Sequence, residues 1–183
     1  MSTSERVTTA EMEAIIRTAA HDVFSTMLNM PLIDEPAFQE ATSDPPESYD
    51  GMEALVGIGG PWTGTGRICC TSTCACALAG ALLMTPYDSL SEDVLDAMSE
   101  VANMIIGNVK TAFEEKLGNL GLSVPTVIFG RNYRTRSAGV TSWLVVPFST
   151  GEHPLQVRFF LMPTKGYSAG QSVRPEVVHQ LTA

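Results

Sequence analysis

Between Ser91 and Leu117 the chain carries an apolar repeat that only one regular conformation satisfies. Set residues about 100° apart, and Val94, Leu95, Met98, Val101, Ala102, Ile105, Ile106, Val109, Ala112 and Phe113 share one arc. Asp93, Asp96, Glu100, Asn103, Gly107, Lys110, Thr111 and Glu114 lie opposite. Ser91 is suited to cap the start, Glu92 and Asp93 favour the positive end of the helix dipole, and Gly118 and Gly121 stop the run. A helix divided this cleanly must bury one side against another layer and show the other to water. The spacing therefore predicts a long helix lying on a sheet.

The remaining segments supply that sheet. Ala10 to Met30 repeats its apolar residues at helical spacing and ends at Pro31. From Asp34 to Asp50 the chain is acidic, proline-bearing and without a basic residue, so 34–50 is expected to be an acidic surface loop. ALVGIGGPWTGTGRICCT reads as a hairpin about a Gly-Gly-Pro turn, its other glycines serving close backbone packing. No Gly-Lys-Ser/Thr follows them, which removes a phosphate-binding loop. Cys74 to Met84 is a short apolar helix. SVPTVIFG, GVTSWLVVPF and PLQVRFFLM read as strands, the last two joined by a short hairpin connection over 149–153. The sum is an α+β domain, long helices packed on a mostly antiparallel sheet, filling 1–183 as a single unit with a weak tail over 167–183.

Charge narrows the function. With 11 basic against 20 acidic residues the net charge is −9, against a nucleic-acid partner or an anionic membrane surface. The most apolar stretch, Ile68 to Met84, is interrupted by Thr71, Ser72 and Thr73 and is too short to span a bilayer. The N-terminus is polar and acidic, without a signal-peptide core, so a soluble, cytoplasmic protein is expected. Cys69, Cys70, Cys74 and Cys76 form one cluster with no second half and no CxxC spacing, and read as compact buried side chains rather than a metal site. His21-Asp22 has no nucleophile nearby in sequence and reads as an ordinary surface feature.

Two residues of the long helix's wet face carry chemistry. Glu100 and Asn103 stand at i and i+3 and project together. A carboxamide both donates and accepts, so Asn103 can hold a water in a fixed orientation; Glu100 can accept an ion pair from an incoming lysine. Neither activates a nucleophile alone, so a site made from them must borrow metal and phosphate from a partner. Nearby, Gly107 interrupts the helix at about 1 kcal/mol relative to alanine, and Met104 sits at the stripe's edge. Either the two serve internal packing, or they leave a low surface that another protein's backbone can approach.

DVLDAMSEVANMIIGNVKTAFE resembles the signature helix of the CheC/CheX/FliY phosphatases of bacterial chemotaxis, whose motif is Glu-x-x-Asn. HDVFSTMLNMPL resembles the opening CheX helix, ALVGIGGPWTGTGRICCTS the first hairpin, and LSVPTVIFG the run after the signature helix. Most of the chain is covered, apart from 34–50 and the tail.

The resemblance implies a CheC-like fold and a phosphatase acting on the aspartyl phosphate of a CheY-type response regulator, in chemotaxis or related two-component signalling. It implies Glu100 and Asn103 as catalytic residues, Asn103 orienting the attacking water and Glu100 pairing with the regulator's active-site lysine. Asp96, Met104 and Gly107 become candidate partner contacts. The chain would hold no cofactor of its own, since Mg2+ comes with the partner receiver domain. Relatives with two motifs differ: Glu11 is followed three on by Ala14 and Glu13 by Ile16, so one site per chain is expected, as in CheX proteins, which typically form homodimers through sheet edges. The alternative is a non-catalytic receiver-binding or flagellar-switch adaptor on the same fold.

Overall fold

The computed structural model describes residues 7–41, 49–135, 139–140 and 142–166. Thr8 starts helix α1 (Thr9–Val23) through a capping box: its hydroxyl accepts from the Glu11 amide, and the Glu11 carboxylate accepts from the Thr8 amide at 3.0 Å. A π-helical turn (Phe24–Leu28) prolongs α1, and left-handed Asn29 ends it ahead of Pro31.

The expectation of a surface loop over 34–50 is corrected in part. β1 (Ile33–Asp34) and β2 (Phe38–Ala41) are edge strands, both antiparallel to β7 (Ser142–Thr150). Their acids have partners: Asp34 lies 3.2 Å from Arg17 and 2.9 Å from His21, and Glu40 pairs with Arg158. Charge on an edge strand also discourages pairing with a stray chain. Residues 42–48 and the 167–183 tail lie outside the described residues.

β3 (Tyr49–Gly59) and β4 (Trp62–Cys70) form the expected hairpin about Gly60, whose φ of 128° favours glycine. α2 (Ser72–Leu83) is capped by Thr71, and α3 (Glu92–Leu117) by Ser91. β5 (Gly121–Leu122), β6 (Thr126–Tyr133), β7 and β8 (His153–Pro163) follow. The sheet runs β1-β7-β8-β4-β3-β5, with β2 also on β7 and β6 also on β3, and every pairing is antiparallel. None of the described helices is long and apolar enough to cross a membrane.

Strand alternation divides the sheet into two faces. Met52, Ala54, Val56, Ile68, Val146, Phe148, Val157 and Phe159 join the core under the three helices. Val140, Trp143 and Val145, with Phe160 against them, make a small second cluster on the other face. There Glu53 is 1% exposed and pairs with Arg67 at 3.3 Å, and the Arg67 guanidinium lies 4.3 Å above the Trp143 ring. Burial pushes the Glu53 carboxyl above its ordinary range, opposed by the charge of Arg67.

Candidate functional site

The placement of α3 follows from one close contact. A Cβ built on Gly66 of β4 would fall 2.2 Å from Ile106 Cδ1, so the bare strand backbone receives the isoleucine. Two turns on, Phe113 packs against Phe159 with ring centroids 6.0 Å apart. These contacts fix the rotation of α3 and turn the polar stripe outward. Asp96 and Glu100 are exposed, and Asn103, Met104 and Gly107 are half-buried. Ala112 departs from its expected burial: it sits at the margin of the apolar arc, where Asn108 and Glu115 are exposed too.

The ends of the stripe are tied and its middle is free. At the start, the Tyr87 hydroxyl donates to Asp93 at 3.2 Å; burial pushes that phenol upward, and the negative charge of Asp93 adds to it. At the far end, Lys110 pairs with Glu114 at 2.7 Å, and Glu114 also accepts from the Leu120 amide at 3.0 Å. Those bonds, the lysine's first, hold the Glu114 carboxyl below its ordinary range. The Thr111 hydroxyl donates to the Gly107 carbonyl at 3.0 Å. Between them, the side chains of Asp96, Glu100 and Asn103 make no hydrogen bond or ion pair among the described residues. The first basic residue of α3 is Lys110, so this free middle is acidic.

Met104 packs partly against the core, which accounts for an apolar residue at the stripe's edge. Gly107 is different. A Cβ there would meet only Leu122 Cδ1, at 3.9 Å, an ordinary contact that alanine would tolerate. The fold has no steric need for glycine at 107.

The segment beyond β5 was incompletely legible in sequence. SVPTVIFG reads as one strand, but β6 begins only at Thr126: β5 and β6 both run antiparallel to β3, with Leu122 opposite Ile58 and Thr126 opposite Leu55, so Ser123 to Pro125 form a bulged link with one residue in excess. The signal was Pro125, which restricts the residue before it to extended conformations. The Tyr87 bond to Asp93 had no sequence signal at all.

None of the four cysteines is on α3: Cys69 and Cys70 end β4, and Cys74 and Cys76 are on α2. All four are free thiols, Cys74 and Cys76 buried and Cys69 and Cys70 half-buried. Cys69 lies near Glu53; burial first, then that carboxylate, push its thiol up. Cys70 shares a hydrogen bond with Cys74, which raises the first thiol and lowers the second. Among the described residues no three His, Cys, Asp or Glu side chains come together to hold a metal ion.

The family model for chemotaxis phosphatase CheX matches residues 52–149. Among solved structures, the chemotaxis protein CheX from Desulfovibrio desulfuricans is 27% identical with a TM-score of 0.72, over 83% of this chain and 99% of that one. CheX from Vibrio vulnificus is 20% identical with a TM-score of 0.71, over 83% and 99%. A CheX-CheY-BeF3-Mg2+ complex from Borrelia burgdorferi matches at 24% identity with a TM-score of 0.70, over 85% and 99%. No curated protein matches the chain.

Proposed function

Because the chain belongs to the CheX family of chemotaxis phosphatases, we propose that it hydrolyses the aspartyl phosphate of a CheY-type response regulator, with Asn103 and Glu100 as its catalytic pair. The observation that carries this reading is the free middle of the α3 stripe, where Glu100 is exposed, Asn103 half-buried, and neither side chain has a partner among the described residues. The Borrelia relative, in complex with CheY, BeF3 and Mg2+, supplies the partner class.

Each residue has a limited task. The Asn103 carboxamide accepts a hydrogen bond from a water and donates to its surroundings, holding that water in line with phosphorus. As the water oxygen bonds to phosphorus, the acyl phosphate P–O bond breaks. The aspartate carboxylate is restored, inorganic phosphate leaves, and the water proton passes to a phosphate oxygen. Glu100 accepts an ion pair from the receiver's lysine and fixes the docking angle. Mg2+ arrives with the receiver and neutralises charge on the transferring group. Asp96, Met104 and Gly107 border the pair and make the docking surface, and Gly107 suits close backbone approach because nothing among the described residues requires it. Pairing of two such single-domain chains through a sheet edge belongs to the same reading. The cytoplasm, where receiver domains signal, is the compartment this reading implies.

The test is the lifetime of a phosphorylated CheY-type receiver from the same genome. Wild type shortens it, and Asn103→Ala loses about a hundredfold of that acceleration, equivalent to about 2.7 kcal/mol of barrier. Binding without any shortening by wild type would replace this reading with a receiver-binding adaptor.

A further inference from the structure

Val124 is 83% exposed, yet the chain around it is braced. The Ser123 amide donates to the Gly57 carbonyl at 2.9 Å, and the Gly57 amide donates to Ser123 Oγ at 2.9 Å. The same hydroxyl donates to the Val124 carbonyl at 2.9 Å. Pro125 then fixes its own φ and restricts Val124 to extended backbone. A β-branched side chain is thus held out into water on a stiff, bulged link, contributing nothing to the core. Its ordering has already occurred on folding, which is the condition under which an exposed apolar residue adds most to binding.

The link adjoins the α3 face. Leu122 packs partly on the core, and its Cδ1 would lie 3.9 Å from a Cβ at Gly107. Two residues of extended chain span about 7 Å, which keeps Val124 within reach of the bare patch at Gly107. Resting on the reading above, we infer that Val124 is a specificity-determining contact for the receiver: the link between β5 and β6 grips the rim of the phosphorylation pocket while α3 enters it. A second copy of this chain is the poorer occupant. The adjoining face is acidic from Glu92 to Asn108 and the chain carries a net charge of −9, so two copies meeting there would repel.

The experiment measures binding and turnover with a CheY-type receiver from the same genome, loaded with beryllofluoride and Mg2+ for binding and phosphorylated for turnover. Val124→Asp raises Kd and KM about tenfold or more with kcat little changed. Val124→Ala moves them the same way by less, and both variants unfold at the wild-type midpoint. Asn103→Ala shows the opposite split, with kcat falling and Kd held. Unaltered Kd and KM in Val124→Asp, while wild type binds and turns over, would overturn the Val124 contact and leave the phosphatase reading standing. Loss of self-association in Val124→Asp with unaltered receiver binding would overturn it in favour of a second copy. Failure of wild type to bind the receiver would overturn both.

Discussion

Ile106 of α3 occupies the space that a side chain at Gly66 of β4 would need, with only 2.2 Å between a built Cβ and Ile106 Cδ1. The contact sets how far α3 sits from the sheet and which way it is turned. Gly66→Ala forces the buried isoleucine aside and should destabilise the protein by about 1–3 kcal/mol, the usual range for overpacking. Denaturant unfolding measures it; an unchanged midpoint would mean that α3 is positioned elsewhere.

Gly107→Ala should have effects of opposite sign on stability and activity. The site has room for a methyl group and the helix gains propensity, so stability rises by about 0.5–1 kcal/mol. Under the proposed function receiver dephosphorylation should slow, because the added carbon would stand where the partner's backbone is expected. Thermal unfolding and phosphate-lifetime measurements on one preparation check both signs.

Glu100→Lys places a cation where the receiver's lysine is expected. Affinity for a beryllofluoride-loaded receiver should fall about tenfold or more, the scale of a close charge reversal. Stability should stay within about 0.5 kcal/mol, since the side chain is exposed and makes no bond among the described residues. Titration at two salt concentrations checks it; equal binding by variant and wild type removes the docking role.

The link between α1 and α3 should respond to acid. Lys116 bonds Glu11 at 2.6 Å, and this bond, with those from Thr8, lowers the Glu11 carboxyl from an ordinary 4.5 to about 2. A depressed carboxyl stabilises the fold above its ordinary value and loses that contribution as pH falls through the folded one. The window is therefore pH 4.5 down to about 2. Glu11→Gln keeps a capping-box side chain but not the ion pair, so its unfolding midpoint should fall less steeply than that of wild type across this window. Parallel curves would show that the pair contributes nothing.

On the outer sheet face, Arg67→Ala should cost about 3–5 kcal/mol, because it strands the buried Glu53 carboxylate. Burial raises the Glu53 carboxyl, so protonation favours the folded state, and the variant should recover stability relative to wild type as pH falls toward the ordinary carboxylate value. Unfolding at pH values above and below that range separates this from simple loss of packing.

The α3 stripe was legible because a period of 3.6 residues and two capping signals agree over many turns, which fixes the faces of Glu100 and Asn103 from sequence alone. The β3–β4 hairpin was legible for the same kind of reason, its strands interrupted by a turn that only glycine and proline suit. Segment 34–50 was not, since β1 and β2 are only two and four residues long and are held by β7, more than a hundred residues away. Their acids looked solvated because Arg17, His21 and Arg158 come from other elements. Val124 escaped notice because its exposure depends on Gly57 holding Ser123, a contact between segments that no local pattern encodes.

The Thr111 hydroxyl on the Gly107 carbonyl also determines what an incoming molecule meets there. That oxygen already takes the helical amide of Thr111, so both of its lone pairs are engaged. Where the helix is barest, it offers no unmet acceptor. A partner's backbone amide would find nothing to bond there, so docking at that spot would rest on shape.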